Sequence, residues 1–262
     1  MFTVSAEQIN LYLTALLFPL VRVLAWLSTD PLLGNRSMPA TVRVAFGFVL
    51  TVAIAPVLPP PPPVALLSGE GILILIQQVA IGVALGFTLR IVFATLEFAG
   101  QFMGLQMGLS YATLFDPVNG AQTPVVAQFL IVTAALVLLA SNGHHLVLEA
   151  LVNSFHEIPV AAAQPSGRGF AALARWGGVI FQTGLQIALP VTAALLSANL
   201  AIGMMSRAAP QLNIFAVGFP ITLSAGMLML YVTISFLPLI LEQLWGGALQ
   251  AAGGMIQTLA GP

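Results

Sequence analysis

The stretch from Glu97 to Gly120 reads EFAGQFMGLQMGLSYATLFDPVNG and begins inside a long apolar run. Small residues recur in it at every fourth position: Gly100, Gly104, Gly108 and Ala112. Residues four apart share one face of a helix. In a membrane, a face of small side chains lets a second helix approach closely, because packing rather than a hydrophobic drive holds the helices together. Asp116-Pro117 and Asn119-Gly120 are turn pairs. The stretch therefore predicts a closely packed helix followed by a polar turn.

The positions beside this small-residue face are polar or deformable: Gln101, Met103, Gln106, Met107, Tyr111 and Phe115. Such side chains suit a passage lined by protein better than a simple lipid-facing anchor. Methionine adapts its shape, which suits a seal around varied cargo as well as a packed core. The sequence leaves these two roles open, both here and at Met204-Met205.

The composition excludes several classes of protein. The chain has 262 residues, of which 59% are hydrophobic and 6% charged, with a mean hydropathy of +1.02. Soluble domains carry about 25% charged residues, so we interpret the chain as an integral membrane protein. A net charge of -1 gives no electrostatic footprint for nucleic acid. The absence of cysteine excludes disulfides and thiolate metal sites.

Six segments are apolar enough for spanning helices of roughly 20 residues: Leu11–Leu27, Val42–Leu58, Ile72–Leu96, Val125–Ala140, Val179–Met205 and Phe215–Leu244. The run Pro59–Pro63 predicts a stiff extended connector after the second segment. A polar region follows the fourth segment and contains an amphipathic pattern around Leu146–Phe155. The tail after Trp245 is rich in small residues, so we expect it to be loosely held.

Several of these segments suit burial against protein better than contact with lipid. They contain proline or glutamine at Pro19, Gln182, Gln186, Pro190 and Pro220. A proline frees a backbone carbonyl, which at membrane depth must be satisfied by neighbouring protein or water. Charges within or beside the segments occur at Arg22, Arg90, Glu97 and Glu242. We expect each to lie near an interface or to pair with another subunit, because no segment carries the series of acidic residues and histidines of a proton path.

The sequence gives no support for an active site or a metal centre. His145 and Glu149 share a helical face, but a third ligand at useful spacing for catalytic zinc is missing nearby. We expect His144, His145 and Glu149 to be hydrated at the end of a segment. The chain contains neither a G-x-S-x-G elbow nor a phosphate loop with lysine. We therefore predict no catalytic residues, no metal and no cofactor.

Four blocks of sequence carry a strong resemblance to the FliR family, the membrane component of the bacterial flagellar type III export gate. The first is Pro31-Leu32-Leu33-Gly34 with Arg36, Pro39 and Arg43. The second and third are GLQMGLSYA over Gly104–Ala112, with Asp116-Pro117 after it, and Asn142-Gly143-His144-His145. The most specific is RAAPQLNIFAVGFP over Arg207–Pro220. The resemblance covers almost the whole chain.

The resemblance implies an all-α membrane protein of kinked helical hairpins, packed in a helical hetero-oligomeric export gate with FliP-like and FliQ-like subunits. An FlhB-like switch protein is the further partner that it implies. Unfolded flagellar export substrates would pass through the assembly, which would lie in the bacterial inner membrane within the flagellar basal body. The chain would form one export-gate domain: helices and a plug loop over 1–140, a polar connector over 141–178, and a C-terminal hairpin and tail over 179–262.

A loop of this family plugs the central channel. The resemblance assigns that role here to Gln106, Met107, Tyr111, Phe115, Asp116, Pro117, Asn119 and Gly120. It also places a hairpin turn near Pro210, where Pro210 and Asn213 are turn residues between two apolar segments. Arg207 would cap the carbonyls of the preceding helix or bind a lipid phosphate. Two other classes stay open: the virulence-associated injectisome gate, and a secondary transporter with broken helices around a midplane site.

Overall fold

A computed structural model of the protein describes residues 6–34, 38–109, 124–161, 167–211 and 213–260. Throughout these ranges the regular structure is helical. The helices are α1 (Ala6–Thr29), α2 (Ala40–Ile54, followed by a 3-10 turn at Ala55–Val57), α3 (Gly69–Gln106), α4 (Val125–Ala140), α5 (Gly143–Glu157), α6 (Gly167–Trp176), α7 (Val179–Ala208), α8 (Ile214–Ile234) and α9 (Leu237–Ala260). The predicted all-α, multi-helix membrane architecture is confirmed.

The described helices include five that are long and apolar enough to cross a membrane: Asn10–Thr29, Ala40–Val57, Gly69–Gln106, Gly167–Ala208 and Ala216–Ile234. A sixth span results if Val125–Ala140 and Gly143–Glu157 are counted as one broken segment. Proline lies inside three of the helices, at Pro19 in α1, Pro190 in α7 and Pro220 in α8.

The prediction of one span over Phe215–Leu244 is wrong. The helix α8 ends at Ile234 and α9 begins at Leu237, and tight turns at Ser235 and Phe236 separate them. Pro238 is the second residue of α9, where the missing backbone N–H leaves no intrahelical bond unmade. Because Ser235 is the only polar residue between Ile234 and Leu237 and the flanking sequence is largely apolar, average hydropathy gives no sign of the break.

The expectation of a loosely held tail after Trp245 is also wrong. The helix α9 continues to Ala260, and Ala252, Met255, Ile256 and Leu259 are buried. These four positions follow the spacing of one helical face. The glycines between them face outward and hide this pattern in the average composition.

The chain forms two compact units. The first comprises residues 1–91, 142–177 and 245–262. Its core joins α1, α3, α5 and α9 through twelve buried side chains: Val23, Trp26, Leu27, Ile81, Ala84, Leu85, Leu151, Phe155, Ala252, Met255, Ile256 and Leu259. The C-terminal helix therefore contributes a third of this core.

Glycines allow α1 and α3 to pack closely within the first unit. A Cβ atom at Gly82 would overlap the backbone oxygen of Arg22 and lie 2.8 Å from the Cβ atom of Ala25. One helical turn later, a Cβ atom at Gly86 would lie 2.7 Å from the backbone oxygen of Trp26. This close approach is the use of small residues expected between membrane helices.

The second unit comprises residues 92–141 and 178–244. Within it α7 and α8 form an extensively packed hairpin. The C-terminal part of α3 packs on α7, where the rings of Phe98 and Phe181 meet edge to face with centroids 5.3 Å apart. Gly184 on α7 fits against the ring of Phe98, whose Cδ1 atom would lie 2.7 Å from an added Cβ atom.

Candidate functional site at the two ends of segment 110–123

The helix α3 ends in a left-handed glycine cap. Gly108 has a φ of 81°, a conformation that glycine adopts without strain. The N–H of Leu109 donates to the carbonyl oxygen of Gly104 at 3.0 Å, and the N–H of Gly108 donates to that of Leu105 at 3.1 Å. This pair of bonds is a Schellman motif. Gly108 therefore lies beyond the helix, so the expected small-residue face on α3 comprises only Gly100 and Gly104.

Met107, the residue before this glycine, is fully buried in the second unit. Its side chain lies against Gly226 on α8: a Cβ atom at Gly226 would be 2.5 Å from Cγ, 2.8 Å from Cε and 3.0 Å from Sδ of Met107. Met103, one turn earlier, is also fully buried. Met103 on α3 and Met107 just beyond its end thus fill the core of this unit, whereas Met204 and Met205 on α7 are 60% and 48% exposed.

The helix α4 starts beside the same end of α3. A Cβ atom at Gly100 would overlap the backbone of Ala127, so the two helices touch there through their main chains. A Cβ atom at Gly104 would lie 3.8 Å from Cβ of Pro124, the residue before α4. The described residues on either side of segment 110–123 therefore lie close together in the second unit.

Some of the predicted plug residues lie at the end of α3, and the others lie within segment 110–123. Gln106 is the last residue of α3 and is half-buried, and Met107 is buried beside it. The other predicted plug residues, Tyr111, Phe115, Asp116, Pro117, Asn119 and Gly120, lie outside the described residues, as does Ala112 of the predicted packing face.

The predicted hairpin residues lie at the connection between α7 and α8. Pro210 is in the turn after α7, and Asn213 immediately precedes α8. The Oδ1 atom of Asn213 accepts a hydrogen bond from the N–H of Ala216 at 3.3 Å, so Asn213 caps the start of α8. Arg207 is exposed in the last turn of α7. Within the described part of the chain, no carbonyl accepts a hydrogen bond from it, and the choice between capping α7 and binding a lipid phosphate stays open.

Arg22 is a buried site that sequence reasoning placed wrongly. Its side chain is fully buried in the first unit, among residues of its own chain, rather than at an interface or against another subunit. The guanidinium donates from Nε to Oε1 of Gln78 at 2.7 Å, and from Nη1 and Nη2 to the backbone oxygens of Ser154 and Ile158 at 2.8 and 2.9 Å. Its Cζ atom lies 4.1 Å from the ring centroid of Phe155.

The partners of Arg22 explain how a buried positive charge is tolerated there. Ser154 and Ile158 lie at the C-terminal end of α5, where the carbonyl oxygen of Ser154 also accepts a hydrogen bond from the N–H of Ile158 at 3.0 Å. The carbonyls beyond it have no intrahelical partner. That end also carries the negative pole of the helix dipole. Arg22 therefore caps α5 from a different helix and holds it to α1 and, through Gln78, to α3. The only sequence signal is a single arginine inside an apolar run.

The other charged candidates are less buried than Arg22. Arg90 and Glu242 are exposed, and Glu97 is half-buried and accepts a 3.2 Å hydrogen bond from Gln101 one turn later on α3. The described residues contain no group of three histidine, aspartate or glutamate side chains that could hold a metal ion. His145 and Glu149 are exposed on α5, as expected from the sequence.

The helices and the connections between them define a multi-pass membrane protein assembled from glycine-packed, proline-containing helices. Residues 13–248 match the family model described as bacterial export proteins, family 1. The chain belongs to this family and, within it, to the FliR family, as its relatives show.

Three of those relatives are named flagellar biosynthetic protein FliR. The chain is 40% identical to the one from Pectobacterium carotovorum subsp. carotovorum over 256 residues, which is 98% of this chain and 97% of the relative. It is 42% identical to the one from Escherichia coli (strain K12) over 227 residues, 87% of each chain. It is 35% identical to the one from Bacillus subtilis (strain 168) over 224 residues, 84% of this chain and 86% of the relative.

Proposed function

We propose that the chain is a non-catalytic core subunit of the flagellar type III protein export gate, and that segment 110–123 plugs its channel. Membership of a family of export proteins and full-length similarity to FliR proteins support a membrane component of the flagellar export apparatus. The flagellar name of these relatives also favours this role over the injectisome gate and the secondary transporter.

The observation that supports the plug proposal is that the helices on either side of segment 110–123 lie close together. The end of α3 and the start of α4 touch at Gly100 and Ala127. A segment that leaves and returns at one place can project from the unit as a single loop. Tyr111 and Phe115 supply large side chains for closing a narrow lumen, since a constriction lined by apolar groups blocks ions by excluding water. Unfolded flagellar proteins would pass once the segment is displaced.

The partners of the proposal are FliP-like and FliQ-like subunits, with an FlhB-like switch protein. The apolar surface of the chain supports such contacts. Only 11% of the most apolar 18-residue stretch within Ala40–Val57 is buried inside the chain. For Gly167–Ala208 the corresponding share is 28%. The helix in this second range also contains glutamine and proline, which need protein or water beside them at membrane depth. Contacts of this kind would be made in the inner membrane, at the basal body.

The test is the ion conductance of the assembled gate after removal of Tyr111–Asn119. The gate would be purified with its co-expressed partner subunits and reconstituted into a planar bilayer. We expect the deletion to raise conductance, and an equally long glycine-serine replacement of the same residues to raise it too, since both remove the apolar side chains. A matched shortening of the connection between α5 and α6 is the control and should leave conductance unchanged. Conductance at the wild-type level in both variants would refute the plug.

A further inference from the structure

We propose that a cavity beside the proline connector, Pro59–Pro63, receives the side chain of a tyrosine from a partner subunit. The cavity has a volume of about 150 Å³ and is lined by α1, the connector and the C-terminal end of α5. All of these belong to the first unit. That the partner is another subunit of the export gate rests on the proposed function, whereas the chemistry of the cavity does not.

The connector is a stiff wall of this cavity. Each of residues 58–62 precedes a proline, which confines its backbone to extended conformations. Leu58, with φ −79° and ψ 150°, already has polyproline geometry. After the connector, Asn10 of α1 donates from Nδ2 to the backbone oxygen of Val64 at 3.2 Å, and its Oδ1 accepts from the N–H of Leu66 at 3.4 Å. The connector is therefore extended and fastened to α1, so it does not collapse into the cavity.

The wall formed by the helices is also fixed, and it is apolar. Pro19 of α1 and Phe155 of α5 line the cavity and are buried. The guanidinium carbon of Arg22 lies 4.1 Å from the ring centroid of Phe155 and holds that ring in place. Every side chain that lines the cavity is apolar. An apolar cavity of this size stays free of water and admits a benzene ring. The cavity therefore suits a single six-membered aromatic ring.

The backbone around the cavity offers hydrogen-bond acceptors without donors. Pro19 has no N–H, so the carbonyl oxygen of Ala15, another lining residue, lacks its usual donor four residues later. The prolines of the connector lack N–H groups as well. Within the described residues, no donor bonds to the carbonyl oxygens of Pro59, Pro60 or Pro61. An acceptor that is buried without a partner costs free energy, so a ligand that brings a donor is favoured.

Tyrosine is the side chain that combines one six-membered ring with a hydroxyl donor. Phenylalanine and a lipid acyl chain would fill the space but leave the carbonyls unpaired. The surface beside the cavity also suits an aromatic partner. Pro60, which lines the cavity, and Pro63 are exposed and lie three residues apart, on one edge of a polyproline helix. Proline edges of this kind dock against aromatic side chains.

The first experiment titrates the full chain, purified alone in detergent, with 4-fluorophenol and follows the probe by fluorine NMR. We expect saturable binding by the wild type. Ala15→Phe fills the cavity and should abolish this binding, and Val160→Phe, from another lining residue, should do the same if Ala15→Phe fails to fold. The matched control is Ala171→Phe, at an exposed position on α6, which should bind as the wild type does.

A second probe tests the hydroxyl donor. In 4-fluoroanisole a methyl group replaces the hydroxyl hydrogen, so we expect it to bind about fivefold less tightly, the equivalent of one net hydrogen bond. Absence of saturable binding, wild-type binding by the filled variants, or equal binding of the two probes would overturn the assignment of a tyrosine.

The last experiment asks whether a partner subunit supplies the ring. The gate, purified with its co-expressed subunits, should exclude 4-fluorophenol, whereas the chain alone binds it. Ala15→Phe should reduce the amount of partner subunits that co-purify with the chain several-fold relative to Ala171→Phe. Equal binding of the probe by the gate and by the chain alone, or wild-type co-purification for Ala15→Phe, would overturn the proposal.

The two proposals fail in different ways. A chain that binds the probe but assembles with no FliP-like or FliQ-like subunit would refute the proposed function, and the tyrosine partner with it. A gate that assembles from a chain without a probe site would refute the cavity and leave the proposed function standing.

Discussion

Replacing Arg22 tests the way in which the first unit is held together. The change Arg22→Met keeps an unbranched side chain of similar length and removes all donors. It orphans two acceptors, Oε1 of Gln78 and the backbone oxygen of Ile158, whereas the backbone oxygen of Ser154 loses one of two donors and keeps the N–H of Ile158 at 3.0 Å. A buried acceptor left without a partner costs about 1–3 kcal/mol. The substitution also removes the contact between the Arg22 guanidinium and the Phe155 ring. Removing this buried charge, however, relieves a desolvation cost of several kcal/mol.

The orphaned acceptors decide the sign of the change in stability, because the main-chain carbonyl of Ile158 cannot turn toward water while α5 stays in place. We expect a net loss of about 2–4 kcal/mol in the free energy of unfolding. Arg22→Lys should fall between wild type and Arg22→Met, since one ammonium group cannot reach both Gln78 and Ile158. The matched control is Arg90→Met, an exposed arginine in the same unit, which should change stability by no more than about 0.5 kcal/mol.

The assay is denaturant unfolding of the purified chain in detergent, followed by far-ultraviolet circular dichroism. The double variant Arg22→Met/Gln78→Met should be more stable than the sum of the single changes predicts, because it removes the orphaned amide oxygen together with its donor. If Arg22→Met is as stable as Arg90→Met, Arg22 does not hold α5 in place and the reasoning fails.

Two further predictions concern Asp30 and Gly82, both in the first unit. Asp30 is buried after α1, where its Oδ1 accepts hydrogen bonds from the N–H groups of Leu32 and Leu33, and burial raises its pKa above the ordinary 3.8. Because the folded state then holds this proton more tightly than the unfolded state, the Asp30 contribution favours folding at low pH and is lost as pH rises above that ordinary value. Asp30→Asn keeps the acceptor oxygen and should flatten this part of the stability–pH profile measured by denaturant unfolding; an unchanged slope would contradict the assignment. Gly82→Ala forces a methyl group onto the backbone of α1 and should lower the free energy of unfolding by about 1–3 kcal/mol, whereas Gly253→Ala, at which a Cβ atom meets nothing within 4 Å, should not destabilise the isolated chain. Equal stability of these two variants would show that α1 and α3 do not pack through Gly82.

The sequence allowed most of the helices to be predicted, because an apolar run of spanning length is a local property. The turn between α7 and α8 was predictable for the same reason, since Pro210 and Asn213 act on their own neighbourhood. The break at Ser235 was missed because Pro238 fits the first turn of a helix and a single serine hardly lowers the average hydropathy of the apolar run. The C-terminal part of α9 was missed because outward-facing glycines separate its buried residues in the sequence and give the stretch the composition of a loose tail.

The contacts that position the candidate site depend on residues far apart in sequence, and no local pattern predicts them. Met107 was predicted as part of the plug, but its seat is 119 positions later at Gly226. Gly108 keeps the four-residue spacing of the packing face, and only its backbone conformation shows that it ends the helix instead. Arg22 was recognised as an unusual charge. Its partner carbonyls, 132 and 136 positions away, come together with it only through the packing of α1 against α5.

The most direct test of the central claim is the secretion of hook and filament proteins by a strain that lacks this gene, with immunoblots of the culture supernatant and of the cells. The account predicts that both proteins disappear from the supernatant while the cells still synthesise them, and that the intact gene restores secretion. Normal amounts of both proteins in the supernatant of the deletion strain would contradict the assignment of this chain to the flagellar export gate.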